Sequence, residues 1–112
     1  MIAMTRTLLV VCLICALPFA PMLSPAAARE ILVTQKGQQF TPKALTLAVG
    51  DEIVFVNDDT GTHNVFSESP ANTFDLKAQR PGTRTKVAFP KAGQVDVRCA
   101  IHPSMRLIVD VK

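Results

Sequence analysis

A chain of 112 residues carrying a formal net charge of +3 has room for one domain, and its cations are interspersed with its carboxylates. No basic tract exists on which a nucleic-acid-binding surface could be built, so that function class is set aside.

Residues 1–28 read as a secretory signal peptide. Arg6 lies in a short n-region, an apolar stretch runs from Leu8 to Leu17, Pro18 and Pro21 break it, and the small-residue run Ala26-Ala27-Ala28 precedes the expected cleavage. A transmembrane anchor needs about 20 uninterrupted apolar residues, more than this stretch supplies, so no membrane span is expected once the leader is removed. Neither Cys12 nor Cys15 follows a lipobox. The remaining domain, residues 29–112, is then periplasmic. Removing the leader changes the inventory: only Cys99 and Met105 remain of their kinds, while His63 and His102 both stay. An exported protein with one cysteine cannot close an internal disulfide, so that thiol needs another role.

The rest of the chain reads as short β-branched segments between turns. Glu30 to Gln35 alternates, with Ile31 and Val33 on one face; Leu45, Leu47 and Val49 alternate next and end at Gly50-Asp51. Ile53 to Val56 is a continuous apolar run, expected to be covered on both sides, and Asn57-Asp58-Asp59-Thr60-Gly61 is loop chemistry. Val65 and Phe66 follow, and residues 67–82 are left open between a short strand near Phe74 and a helical turn. Thr83 to Phe89, Gln94 to Cys99 and Leu107 to Val111 complete the set, with Val95, Val97 and Cys99 on one face. With no sustained helical period, the expected fold is an all-β Greek-key sandwich of about seven strands.

Chemistry concentrates at Cys99-Ala100-Ile101-His102-Pro103-Ser104-Met105, a loop between two expected strands. Its Cys, His and Met recur at intervals of three, which lets one tight loop aim all three side chains at a common point. His63 follows a loop and precedes a strand, so a sandwich can bring it to the same end. A lone cysteine or methionine is ordinarily core filler. Here, however, the whole supply of Cys, His and Met beyond the leader falls into one donor pattern. Thiolate, two imidazoles and a thioether are the donors of a trigonal copper site with a weak axial sulfur. The thiolate binds both oxidation states of copper, and the weak axial thioether helps set the potential.

The stretch His63-Asn64-Val65-Phe66-Ser67, together with Cys99-x-x-His102-x-x-Met105, resembles the cupredoxin, or type 1 blue copper, family. Within it the compact ligand loop is most similar to the amicyanin branch and the plastocyanin-like proteins of methylamine utilisation. The resemblance runs from about Glu30 to Lys112. It implies one type 1 copper ion held by His63, Cys99 and His102, with Met105 axial, and Asn64 tying the two ligand loops together near the sulfur. It also implies single-electron transfer between redox proteins such as a dehydrogenase or a c-type cytochrome, by a monomer that is not an enzyme. Docking would use an apolar patch around His102 formed by Ala100, Ile101, Pro103 and Met105. Lys77, Arg80, Arg84, Lys86 and Arg106 are candidates for steering an acidic partner, with a solvated charged surface the alternative for each. Relatives often carry aromatics on the strand before the Cys, where this chain has Val95 and Val97, and it has no Tyr or Trp anywhere. A periplasmic copper chaperone or storage protein is the alternative that the same donors leave open.

Overall fold

The computed structural model describes residues 2–4, 9–21 and 27–112. Arg6, Leu8 and Ala26 of the expected leader lie outside the described residues. Among the described residues before Glu30 there is no helix or strand, and the apolar side chains from Leu9 to Phe19 are exposed.

Strands β1 (Glu30–Lys36), β2 (Gln39–Thr41), β4 (Glu52–Asn57) and β7 (Arg84–Ala88) form one sheet in the order β2-β1-β4-β7. Strands β3 (Ala44–Leu47), β5 (His63–Ser67), β6 (Phe74–Gln79), β8 (Gly93–Arg98) and β9 (Arg106–Val111) form the other, in the order β3-β9-β8-β5-β6. Both sheets are mixed: β1 runs parallel to β4 and β3 parallel to β9, and the remaining pairings are antiparallel.

Nine strands stand where about seven are expected. The additional ones are β2 and β6. The β2 hairpin turns at Gly37-Gln38, with φ of 60° and 55°, and such two-residue turns need positive φ at both positions. Gln is not the residue that announces this turn, so the short strand behind it escapes a reading of the sequence. Strand β6 resolves the open stretch near Phe74 as a strand rather than a helical turn. Its pairing with β5 slips between Asn64 and Phe66, and Lys77 takes up the irregularity at φ 61°.

Side chains alternate cleanly. Val33 and Gln35 on β1, Ile53, Phe55 and Asn57 on β4, His63, Val65 and Ser67 on β5, and Val95 and Val97 on β8 all point into the sandwich. The β4 run is therefore not covered on both sides: Val54 and Val56 are half-buried, because a two-layer sandwich covers only the inner face. Val49 lies past the end of β3 and is exposed, so the alternation stops at Leu47. In the core, Phe40, Phe55, Phe74 and Phe89 form a continuous chain of rings with centroids 5.9–6.3 Å apart.

Asp51 closes the end of the sandwich remote from residues 99–105. Its Oδ1 accepts the backbone N–H of Arg29 at 3.1 Å, and its Oδ2 accepts Arg29 Nε at 3.2 Å, Arg29 Nη2 at 2.9 Å and the backbone N–H of Ala48 at 2.9 Å. The Ala48 bond first, then those from Arg29, hold its carboxyl below the ordinary range of about 3.9. A group whose folded pKa is depressed stabilises the native state above its unfolded value and loses that contribution as pH falls through the folded one. Asp51→Asn is therefore expected to lower Tm by several degrees at pH 7. The gap from the parent should narrow below about pH 4, as thermal melts across pH would record.

Candidate metal centre

His63 opens β5 on its inward-facing side, so the strand's alternation buries the imidazole beneath the sheet. Cys99 follows the last residue of β8 and continues the inward set of Val95 and Val97. Arg98 pairs with Arg106 in the β8–β9 register, so residues 99–105 form the loop of one hairpin. Two arginines in facing positions repel. Asp96 offsets this by accepting Arg98 Nη2 at 2.7 Å and Arg106 Nη2 at 2.9 Å on the same oxygen. Burial raises the Asp96 pKa, and the bonds from Arg106 and Arg98 outweigh it to hold the carboxyl below its usual range. Inside the loop, the Met105 N–H donates to the His102 carbonyl at 2.9 Å, turning the chain between the two.

The three potential donors converge. His63 Nδ1 lies 3.8 Å from Cys99 Sγ, His102 Nδ1 lies 3.9 Å from the same sulfur, and the two Nδ1 atoms are 3.1 Å apart. With metal–nitrogen bonds of about 2.0–2.1 Å and a metal–sulfur bond of about 2.3 Å, a trigonal site sets each nitrogen about 3.8 Å from the sulfur. The nitrogen separation corresponds to a nitrogen–metal–nitrogen angle closed to about 100°. The spacing thus fits one first-row metal ion, and thiolate with two imidazoles is a donor set suited to copper.

The fourth sequence-selected donor, Met105, is buried in the core cluster beside β9, not in the surface patch around His102. Ala100, Ile101 and Pro103 are exposed, with Ile101 showing 54% of its surface, and His102 is half-buried among them. Asn64 bridges the two ligand segments. Its backbone N–H donates to Cys99 Sγ at 3.3 Å, and its Oδ1 accepts the Ala100 N–H at 3.3 Å. Asn64 Nδ2 in turn donates to Asp75 Oδ1 at 2.9 Å and to the Lys77 carbonyl at 3.3 Å, so the irregularity in β6 holds the Asn in place.

Of the five cations expected to steer a partner, three are engaged by neighbouring carboxylates. Lys77 reaches Asp75 at 3.4 Å, Arg106 reaches Asp96, and Lys86 bridges Glu30 at 2.7 Å and Glu52 at 3.5 Å across the parallel β1–β4 pair. Arg80 and Arg84 form no ion pair among the described residues.

Two residues escape a reading of the sequence. His63 Nε2 lies 2.8 Å from Asp59 Oδ2, four residues earlier in the loop. The bond with His63 first, and then the backbone N–H of Gln38, hold the Asp59 carboxyl down at about 2 against the opposing effect of burial. A carboxylate one short loop before a ligand-type His is the signal that could have found it. The second is Gln35, fully buried on β1 beside Asn57 of β4, whose side-chain oxygen and nitrogen both lack a partner among the described residues. A buried amide left this way is costly. Nothing in the β1 pattern marks it except a polar residue on an apolar face.

Residues 27–112 match the profile described as copper binding proteins, plastocyanin/azurin family. The chain is 38% identical over 88 residues to the methylamine utilization protein MauL of Methylorubrum extorquens, a match covering 78% of this chain and 77% of that protein. Among solved structures, a reduced variant of amicyanin superposes with a TM-score of 0.69 at 24% identity, covering 79% of this chain and 87% of that one. A purple cupredoxin from Nitrosopumilus maritimus gives a TM-score of 0.65 at 22% identity, covering 72% of this chain and 98% of that one. The fold also recurs within a copper-containing nitrite reductase from Thermus scotoductus, with a TM-score of 0.70 at 27% identity; 87% of this chain is covered but only 25% of the enzyme. Profile, relative and fold agree with the donor set at the end of the sandwich, and the chain belongs to the copper-binding plastocyanin/azurin family of cupredoxins.

Proposed function

We propose that the protein is an exported single-electron carrier, with His63, Cys99 and His102 as equatorial copper ligands and Met105 as the axial one. The observation that carries this reading is the triangle of Nδ1, Nδ1 and Sγ atoms, brought to metal-binding distances at one end of the paired strands β5 and β8. Copper supplies the Cu(I)/Cu(II) couple, and the protein supplies a geometry acceptable to both states. Asn64 holds the sulfur through its backbone N–H, and the Asp96 clamp fixes the base of the ligand loop. With the donors fixed in this way, little rearrangement accompanies gain or loss of an electron.

Export is supported by where the folded unit begins. Strand β1 starts at Glu30, and Arg29 is the first residue tied into the sandwich, one position past the expected cleavage after Ala28. Among the described residues no helix is long and apolar enough to cross a membrane. A carrier with a periplasmic redox partner, of the dehydrogenase or c-type cytochrome kind, fits both the leader and the relative named for methylamine utilisation. The reacting edge would be His102, and the exposed Ala100, Ile101 and Pro103 around it would allow brief contact with little polar surface to desolvate. Because three of the five candidate cations are already paired, steering by charge would fall mainly to Arg80 and Arg84.

One equivalent of Cu(II) added to the purified protein is expected to give an intense thiolate-to-copper charge-transfer band, with a narrow copper hyperfine splitting. Cys99→Ser should abolish the band. A pale, ordinary Cu(II) spectrum with tight, exchangeable Cu(I) binding would instead indicate copper delivery or storage. Met105→Leu should keep the colour and raise the potential, because even a weak axial donor helps Cu(II) more than Cu(I). Ile101→Glu should leave the potential unchanged and slow electron self-exchange by about tenfold or more, read from NMR line broadening, because two such patches would meet as like charges.

A further inference from the structure

His63 has two ring nitrogens with different surroundings. Its Nδ1 faces the Cys99 sulfur and His102 Nδ1, while its Nε2 faces a carboxylate oxygen of Asp59 at 2.8 Å. A carboxylate accepts hydrogen bonds and does not donate them, so the proton of a neutral His63 sits on Nε2 and the lone pair is left on Nδ1. The imidazole is almost fully buried, and the Asp59 side chain keeps 17% of its surface exposed.

Asp59 is itself held from several directions. Its Oδ2 also accepts the backbone N–H of Gln38 at 3.1 Å, from the β1–β2 turn of the opposite sheet. Its Oδ1 accepts the Thr60 N–H at 3.1 Å, and its own N–H donates to Asn57 Oδ1 at 2.9 Å. Asn57 is buried and is anchored in turn by donating to the carbonyls of Gly61 at 2.8 Å and Gln79 at 2.7 Å. The carboxylate is thus fixed by both sheets. His102 is different: among the described residues its side-chain hydrogen-bond contacts are made through Nδ1, and no carboxylate bonds its other nitrogen.

We propose that Asp59 is a positioning and tuning residue for the metal centre, an anion that sets the His63 tautomer and biases the site toward the more highly charged metal state. This rests on the reading of His63, Cys99 and His102 as copper ligands. Two effects act in the same direction. A carboxylate hydrogen-bonded to the far nitrogen of a ligating imidazole makes the near nitrogen a stronger donor. A fixed negative charge behind a buried ligand also attracts a dication more than a monocation, through surroundings that screen poorly. Both favour Cu(II) over Cu(I), and both act through the buried ligand rather than through the surface-facing one. The site thereby gains an asymmetry, with His63 as the electronically loaded anchor and His102 as the exposed edge.

The competing role is that of a loop cap, satisfying the N–H groups of Gln38 and Thr60. Asp59→Asn removes the charge and keeps one oxygen, which can still serve the His63 and Gln38 N–H groups that share Oδ2, while the Thr60 N–H loses its acceptor. The potential rather than the stability therefore separates the two roles. Asp59→Glu restores charge with altered reach, and Asp59→Ala removes both. With copper bound, Asp59→Asn is expected to shift the ratio of Cu(II) to Cu(I) affinity tenfold toward Cu(I), about 59 mV upward in potential for a one-electron couple. Asp59→Glu should recover part of that shift. In the metal-free protein, nitrogen-15 NMR of the parent should show the His63 proton on Nε2, and Asp59→Ala should redistribute it between the two nitrogens. If Asp59→Ala does not fold, the redistribution is read in Asp59→Asn. A potential within twofold of the parent's affinity ratio, with the His63 tautomer unchanged, would overturn the proposal and leave Asp59 as a loop cap. If the parent itself gives no thiolate–copper band, the ligand assignment has failed rather than the role of Asp59.

Discussion

Two imidazole nitrogens and a sulfur are pressed within 3.1–3.9 Å of one another at the end of this sandwich. The Asp59 carboxylate accepts the Nε2–H of His63, which turns the Nδ1 lone pair toward His102 Nδ1 and the Cys99 sulfur. Donor atoms brought this close can share one cation, and strand pairing brings them there. Copper binding is therefore coupled to the native state: an ion that binds the folded triangle better than the unfolded chain stabilises the fold by mass action. For residues 29–112, which bury only about 60–65% of the surface exposed on unfolding, that coupling matters more than it would in a large domain.

Everything around the triangle limits its movement. The thiol enters on a strand whose register with β9 is closed by Arg98 and Arg106 on a shared Asp96. The first His enters on β5, where Asn64 binds both the sulfur and the Ala100 N–H. Asp59 reaches across to the turn of the other sheet. On the outside, Ala100, Ile101 and Pro103 stay exposed, leaving one open edge at His102. A rigid interior with an apolar edge is what exchange of an electron requires, since the donors stay fixed while a partner contacts only the rim.

Much of this was legible in the sequence because its signals are local and periodic. Alternation placed Val33, Val95, Val97 and Cys99 on inward faces, and the interval of three in Cys99, His102 and Met105 marked a single loop. What escaped has no local signature. Strand β2 follows a turn without the usual Asn-Gly, and β6 holds an irregularity that breaks its alternation. The apparent two-sided burial of Ile53 to Val56 was a matter of composition, since apolar residues also stand on the half-covered outer face. The roles of Asp59, Asp75 and Asp96 depend on partners brought together only by sheet register. Three of the five candidate steering cations are paired with neighbouring carboxylates, as Lys86 is between Glu30 and Glu52 on adjacent parallel strands.

The most direct measurement is X-ray absorption at the copper edge on protein loaded with a single equivalent of metal, in both oxidation states. The account predicts one short sulfur and two imidazole nitrogens around copper, with bond lengths and coordination number nearly unchanged on reduction. A shell of nitrogen and oxygen alone, or loss of a ligand whenever the metal is reduced, would contradict it.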